Sequence, residues 1–149
     1  MKKIPVGNGH FALVDDEDYE LVGQRRWHLN NRGYIKSGKV LLHRLVTSAP
    51  PGYDVDHIDG DKMDNRRSNL RVCTRGQNLA NQKRSANNTS GYKGVTFNKE
   101  CNRWQAYIHQ DGRQYHLGLF HDIVDAARAY DAAAQEKFGE FARPNFPKP

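Results

Sequence analysis

Residues 122–139 constrain the fold of this chain more than any other stretch. Ile123, Ala126, Ala127, Tyr130, Ala134 and Phe138 recur at helical spacing and share one face. Asp122 stands before that run as an N-cap and Gly139 after it as a stop, so a helix is expected to reach about Phe138. A face made mostly of alanine lets a helix lie close to a flat apolar partner, and it reads as core rather than as a cofactor site. The partner lies just upstream. Gly94-Val95-Thr96-Phe97, residues 103–109 and residues 114–120 read as three strands, joined by turn-rich segments at 98–102 and 110–113. Alternation along the middle strand puts Trp104, Ala106 and Ile108 toward the helix and Arg103, Gln105, Tyr107 and His109 on the other face. That outer face is dense in donors and acceptors of the kind that reach phosphates and base edges, although a solvated sheet face would look the same.

The middle of the chain has the opposite character. Residues 51–88 alternate acid, Asn and Arg with few apolar side chains. Residues 54–58 form a strand candidate, 59–68 a polar loop, 70–74 a second strand and 77–82 a helix candidate. A unit this small buries little core alone and needs a metal, neighbouring elements, or both. Residues 1–50 mix short extended stretches with acidic punctuation. Phe11-Ala12-Leu13-Val14 reads as a strand, and Asp15-Asp16-Glu17-Asp18 as the acidic start of a short helix through Leu21 and Val22. Asn30-Asn31-Arg32-Gly33 reads as the turn of a hairpin. This block shows no chemistry of its own and is expected to pack on the next. Residues 83–90, polar and basic, read as a linker or as chain lying along a phosphate backbone.

The formal net charge is +6 over 149 residues, with the basic excess spread along the whole chain. Such a balance suits a polyanion, because Lys and Arg displace counterions from phosphates. Cys73 and Cys101 are far apart and in no C-x-x-C pair, which argues against a disulfide scaffold and a zinc knuckle. No apolar run approaches membrane-spanning length and the start lacks a signal-peptide core, so a cytoplasmic protein with no membrane partner is expected.

Asp56-His57 closes the first middle strand, followed by Asn69 and Asn78. Hydrolysis of a phosphodiester needs a water, a group to take its proton, and a cation for the developing charge. His57 has the ordinary pKa of a base, and Asp56 and Asn78 carry hard oxygen donors that favour Mg²⁺ or Mn²⁺ over zinc. Neighbours on a strand point to opposite faces, so the strand must end or bend at this pair. Val55-Asp56-His57-Ile58-Asp59-Gly60-Asp61, the run Asp64-Asn65-Arg66-Arg67-Ser68-Asn69-Leu70-Arg71 and Gln77-Asn78 together resemble the HNH family, whose fold is a ββα-metal finger. The match is to its phage homing-endonuclease branch, in which Asn replaces the last His. That resemblance implies His57 as general base, Asp56 and Asn78 as ligands of one divalent ion, and Asn69 as the residue that fixes the loop carrying His57. Leu42-His43-Arg44-Leu45-Val46 also matches the segment that precedes this motif. His43 either contacts substrate phosphate or packs beside the finger, and Arg71 is a second candidate phosphate contact.

Tyr92-Lys93-Gly94-Val95, Trp104, Ala106, Ile108, Leu117-Gly118-Leu119-Phe120, residues 126–133, Gly139 and Asn145-Phe146-Pro147 resemble the Apetala-two (ethylene-response-factor) DNA-binding domain. The resemblance implies a three-stranded sheet in the major groove with the helix behind it. Lys93, Thr96, Asn98, Lys99, Arg103, Gln105, Tyr107, His109 and Arg113 are the expected DNA contacts. Plant members carry several arginines where Thr96, Asn98, His109 and His116 stand here, so their target sequence does not carry over.

The expected fold is α+β: a β-rich segment (1–50), a ββα-metal finger with linker (51–88), and a three-stranded antiparallel sheet packed on one helix (89–149). The expected function is site-directed, Mg²⁺-dependent cleavage of double-stranded DNA, with no small-molecule substrate and a monomer as the expected state. Two rivals are a non-catalytic sequence-specific DNA-binding regulator and an RNA-directed protein. The first should have lost Asp56, His57 or Asn78, and the second fits poorly with a major-groove sheet.

Overall fold

The computed structural model describes residues 1–149, which divide into two compact units, Met1–Arg75 and Gly76–Pro149. The first unit opens with a hairpin of β1 (Lys2–Pro5) and β2 (Phe11–Val14). A short helix α1 (Tyr19–Gly23) follows, then a three-stranded sheet of β3 (His28–Leu29), β4 (Ile35–Ser37) and β5 (Val40–Leu41). The β3–β4 turn is held by Asn30, whose Oδ1 accepts from the Arg32 and Tyr34 amides, each at 2.9 Å. β5 runs directly into α2 (Leu42–Thr47), and an antiparallel pair closes the unit, β6 (Asp54–His57) and β7 (Leu70–Cys73).

One core serves the whole unit. Ile4, Val6, Ala12, Val14, Val22, Trp27, Ile35, Leu42 and Val46 come from the first fifty residues, and the β6–β7 pair adds Val55 and Leu70. Each such side chain contributes about 1.5–3 kcal/mol by burial, so most of the driving force comes from outside the β6–β7 pair. The loop between β6 and β7 is also strapped to β2. Leu13 donates to Met63 O and Asn65 donates to Leu13 O, both at 2.8 Å.

The acidic run 15–18 has a second use beyond opening a helix. Asp18, 3% exposed, accepts from Nε and Nη2 of Arg67 at 2.9 and 2.6 Å, and Asp15 accepts from the Arg67 amide at 2.8 Å. Asp15, Glu17 and Asp18 are close enough to invite a cation, and Arg67 already fills that need.

In the second unit, β8 (Val95–Asn98), β9 (Arg103–Gln110) and β10 (Arg113–Phe120) form an antiparallel sheet in the order β10-β9-β8. Helix α4 (Ile123–Phe138) buries Ala126, Ala127, Tyr130 and Ala134 against Val95, Ala106 and Ile108 of that sheet. Asp122 Oδ1 caps it by accepting from the Val124 amide at 2.7 Å, and Gly139 ends it with φ +52°. Sheet and helix approach so closely at Gly94 that an added Cβ would lie 2.0 Å from the Tyr130 ring and 2.6 Å from Tyr107 O.

Residues 83–90, expected as a linker, belong to this second unit. Asn88 Oδ1 accepts from the Gly91 amide and Ser90 Oγ, and its Nδ2 donates to Tyr92 O at 2.8 Å. The segment is polar because it satisfies its own backbone. The unit begins inside α3 (Arg75–Asn81), so the compact division falls at Arg75/Gly76 rather than in the polar stretch.

Candidate active site and nucleic-acid face

β6 ends at His57, where the backbone turns: Gly60, with φ +81°, donates to His57 O at 2.9 Å. The loop that follows is held at both ends by Asn69. Its Oδ1 accepts from the Asp59 amide at 3.1 Å, its Nδ2 donates to Asp64 O at 3.0 Å, and its own carbonyl accepts from Ile58 at 2.9 Å. Inside the loop, Asp64 is buried and ion-paired with Arg66, which holds its carboxyl below the usual range.

His57 is 5% exposed. Its Nε2 lies 3.4 Å from Asn65 Oδ1, a long hydrogen bond in which the imidazole N–H donates. The orientation of Asn65 is set by its Nδ2, which donates to Lys62 O at 3.0 Å. A proton on Nε2 leaves the neutral ring's lone pair on Nδ1. Burial pushes the His57 pKa below its ordinary value, partly offset by Asn65 and by Asp56, Asp59 and Asp61. The ring is therefore neutral at neutral pH, the form a general base requires.

His43, on α2, is 6% exposed, with its ring 5.3 Å from that of His57 and 5.3 Å from Tyr34. Burial pushes its pKa down to about 4, with His57 and Arg44 adding to the effect. His43 is thus a buried, neutral ring packed beside that of His57. Lys62 lies 4.1 Å above the Tyr34 ring and donates to Arg32 O at 2.8 Å, so a cation stands at the edge of this cluster.

Asp56, 6% exposed, lies opposite Arg71 in the β6–β7 register, and Arg71 Nε and Nη2 donate to its Oδ2 at 2.9 and 2.8 Å. The Asp56 side chain thus has the Arg71 guanidinium beside it, and Arg71 is engaged on protein rather than extended into solvent. Asn78 stands on α3 within the second unit. Cys73, paired with Asp54 in the register, has its thiol pushed up to about 11, mainly by burial, and stays protonated. Asn65, Tyr34 and Lys62 carried no signal as site residues. Asn65 lies inside the matched loop with no pattern that marks it as a partner of His57, and nothing local connects Tyr34 to a loop thirty residues on.

In the C-terminal sheet, register puts Thr96, Gln105 and Leu119 side by side, with Asn98 opposite Arg103 and Tyr107 opposite His116. Tyr107 and His109 meet edge to face at 5.5 Å on that outer surface. Lys99 and Arg113 are exposed at the ends of the strands. Asn98 Oδ1 accepts from the Glu100 and Cys101 amides and so shapes the β8–β9 turn. Lys93, another of the expected contacts, has partners within the protein. Lys93 donates its ammonium to Ala80 O at 2.6 Å and Gln82 O at 2.8 Å, and burial pushes its pKa down to about 8. Its long side chain serves carbonyls at and just beyond the end of α3, which have no partner inside the helix.

Comparison with known proteins bears on both units. The HNH endonuclease family matches residues 48–80. An uncharacterized HNH endonuclease of Acanthamoeba polyphaga mimivirus is 36% identical over 148 residues, covering 93% of this chain and 76% of the relative. Protein 3.8 of Escherichia phage T7 is 33% identical over 94 residues, 63% of this chain and 77% of its own length. The C-terminal region is similar to plant proteins of another kind. An AP2-like ethylene-responsive transcription factor of Arabidopsis thaliana is 45% identical over 58 residues, 39% of this chain and 12% of that protein. No solved structure matches the chain. The family model spans the segment that holds Asp56 and His57, the mimivirus relative is matched over most of its own length, and the chain belongs to the HNH endonuclease family.

Proposed function

We propose that this chain is a DNA endonuclease of the homing type, in which His57 activates water against a phosphodiester bond and the C-terminal sheet anchors the duplex. The observation that carries this reading is the state of His57. It is buried, neutral, held in one tautomer by Asn65, and set at a strand end whose loop is clamped by Asn69. A neutral imidazole with a fixed lone pair takes a proton from water, and the clamped loop keeps it oriented while it does so. Tyr34 and His43 wall the ring on its apolar side.

The donor chemistry fits a hard divalent ion. Asp56 and, on the family pattern, Asn78 would hold Mg²⁺ or Mn²⁺ through oxygen, while the protonated Cys73 adds no soft ligand. Such an ion, when bound, supplies positive charge for the phosphate and the departing 3′ oxygen. In this reading β6, β7 and α3 are the ββα-metal finger.

The likeness to a plant transcription factor supports duplex DNA as the partner, read by Thr96, Gln105, Tyr107 and His109, with Asn98, Lys99, Arg103 and Arg113 at the rim. A monomer has one such site and nicks one strand. No helix is long and apolar enough to cross a membrane, and we assign the protein to the cytoplasm of the cell that makes it.

The test is incubation of wild type and His57→Ala with supercoiled plasmid carrying phage-host sequence, in Mg²⁺ and in EDTA. Nicked circles from wild type alone, and only with metal, are expected. Cleavage that survives His57→Ala would refute the assignment of the base. Tight salt-sensitive binding without cleavage on a cognate site would favour a regulator.

A further inference from the structure

We propose that Lys93 and Arg143 are positioning residues of the nuclease, acting by fixing the helix that carries Asn78. This rests on the reading of Asn78 as a metal ligand. The family match runs over residues 48–80, yet the first compact unit ends at Arg75, so the last residues of the motif are structural members of the C-terminal unit.

The helix in question, α3, has seven residues. A helix that short is unstable alone, and its last carbonyls have no partner within it. Here those carbonyls are taken by two cations. Lys93 Nζ donates to Ala80 O and Gln82 O at 2.6 and 2.8 Å, and Arg143 Nη1 donates to Asn81 O at 3.2 Å. Positive charge at a helix C-terminus also opposes the macrodipole. Ala80 and Asn81 are buried, so these carbonyls are not left to water.

Lys93 is itself clamped. Its amide donates to Asn145 Oδ1 at 2.7 Å and its carbonyl accepts from Asn145 Nδ2 at 3.0 Å. Asn145 in turn donates through its amide and Nδ2 to Asp131 of α4, at 2.7 and 3.1 Å. Named side chains therefore run without a gap from the long helix of the C-terminal unit to the end of α3. The consequence is that Lys93, held through Asn145 to α4, and Arg143 set how firmly Asn78 is presented to a metal. Losing the cations frees the end of α3 and disorders Asn78 without touching the sheet's outer face.

The experiment compares full-length wild type, Arg143→Gln, Arg143→Lys and Lys93→Met. Three quantities are measured: Mn²⁺ binding by titration without DNA, the Mg²⁺ concentration for half-maximal nicking against the rate at saturating Mg²⁺, and duplex affinity in EDTA. Loss of a residue that orients a ligand weakens metal binding about ten-fold or more. We expect that shift in both metal measurements for Arg143→Gln and Lys93→Met, recovery in Arg143→Lys, and unchanged affinity for DNA in EDTA. Unmoved metal measurements in Arg143→Gln, with wild type responding normally, would overturn this inference alone. A parallel loss of DNA affinity in EDTA would overturn it too, by making these residues DNA contacts. A wild-type chain that neither binds Mn²⁺ nor nicks would overturn the nuclease reading, and this inference with it. Should Lys93→Met fail to fold, Arg143→Gln decides the matter, since Arg143 is only partly buried.

Discussion

Asn69→Ala tests whether one side chain clamps the loop that follows His57. Asn69 is 7% exposed, and its side chain makes two hydrogen bonds to backbone, from the Asp59 amide at 3.1 Å and to Asp64 O at 3.0 Å. Truncation removes both and strands an acceptor in a buried place and a donor in a partly buried one. A net hydrogen bond contributes about 1 kcal/mol and an unsatisfied buried group costs about 1–3 kcal/mol, so the expected loss is about 2–3 kcal/mol. For a unit of this size each kcal/mol lowers the midpoint by about 4–8 °C, which gives roughly 10–20 °C for the first unit. Calorimetry of the full chain should show one transition moved down, with the transition of the C-terminal unit unmoved. Single-turnover nicking below the new midpoint should also fall, because the strand end carrying His57 is no longer fixed. A midpoint within about 2 °C of wild type would refute the clamp, whatever the activity.

Gly94→Ala should destabilise the C-terminal unit by about 2–4 kcal/mol, from overpacking against Tyr130 and the positive φ of +72° together. Denaturant unfolding checks this, and a loss under 1 kcal/mol would mean that α4 moves away from the sheet without cost. His43 predicts an acid sensitivity. With its pKa at about 4 in the fold and near 6.5 unfolded, the unfolded chain binds the extra proton between those values, so stability falls as the pH drops from 6.5 to 4. The loss approaches about 3 kcal/mol, and His43→Phe should remove most of that slope in a series of melts. His57 has the same sign of shift, so the acid limb of nicking should lie below pH 6.5 in a pH–rate profile.

The two units differ in how far they were legible, and the difference follows from the range of the interactions that build them. The C-terminal sheet and helix rest on local signals. Alternation places β9, turn residues place its ends, and Asp122 and Gly139 bound α4 within a residue of expectation. The first unit rests on contacts far apart in sequence. Nothing near Asp18 announces Arg67, and nothing near Leu13 announces the loop at Met63 and Asn65. Lys93 is expected from the sequence as a DNA contact, and nothing local points to its partners within the protein. Its true partners are carbonyls thirteen and eleven residues upstream, and a buried carbonyl leaves no mark in a side-chain sequence.

The residues with chemistry lie where the chain has least core of its own, and this bears on how such a site is kept rigid. Between β6 and β7 the order of the loop comes from polar side chains satisfying backbone: Asn69 on Asp59 and Asp64, Asn65 on Lys62, Asp61 on Met63. Hydrogen bonds of this kind are directional, so they fix angles that apolar packing alone leaves soft. The same density of Asn and Asp that leaves residues 51–88 little core of their own is what orders the loop after His57. Few apolar side chains there also leave room for a charged substrate to approach. The price is dependence on neighbours: β2 and the acidic run for the loop, Lys93 and Arg143 for α3. Substitutions at these supports are expected to lower nicking by degrees, whereas on the proposed reading Asp56→Ala or His57→Ala should abolish it.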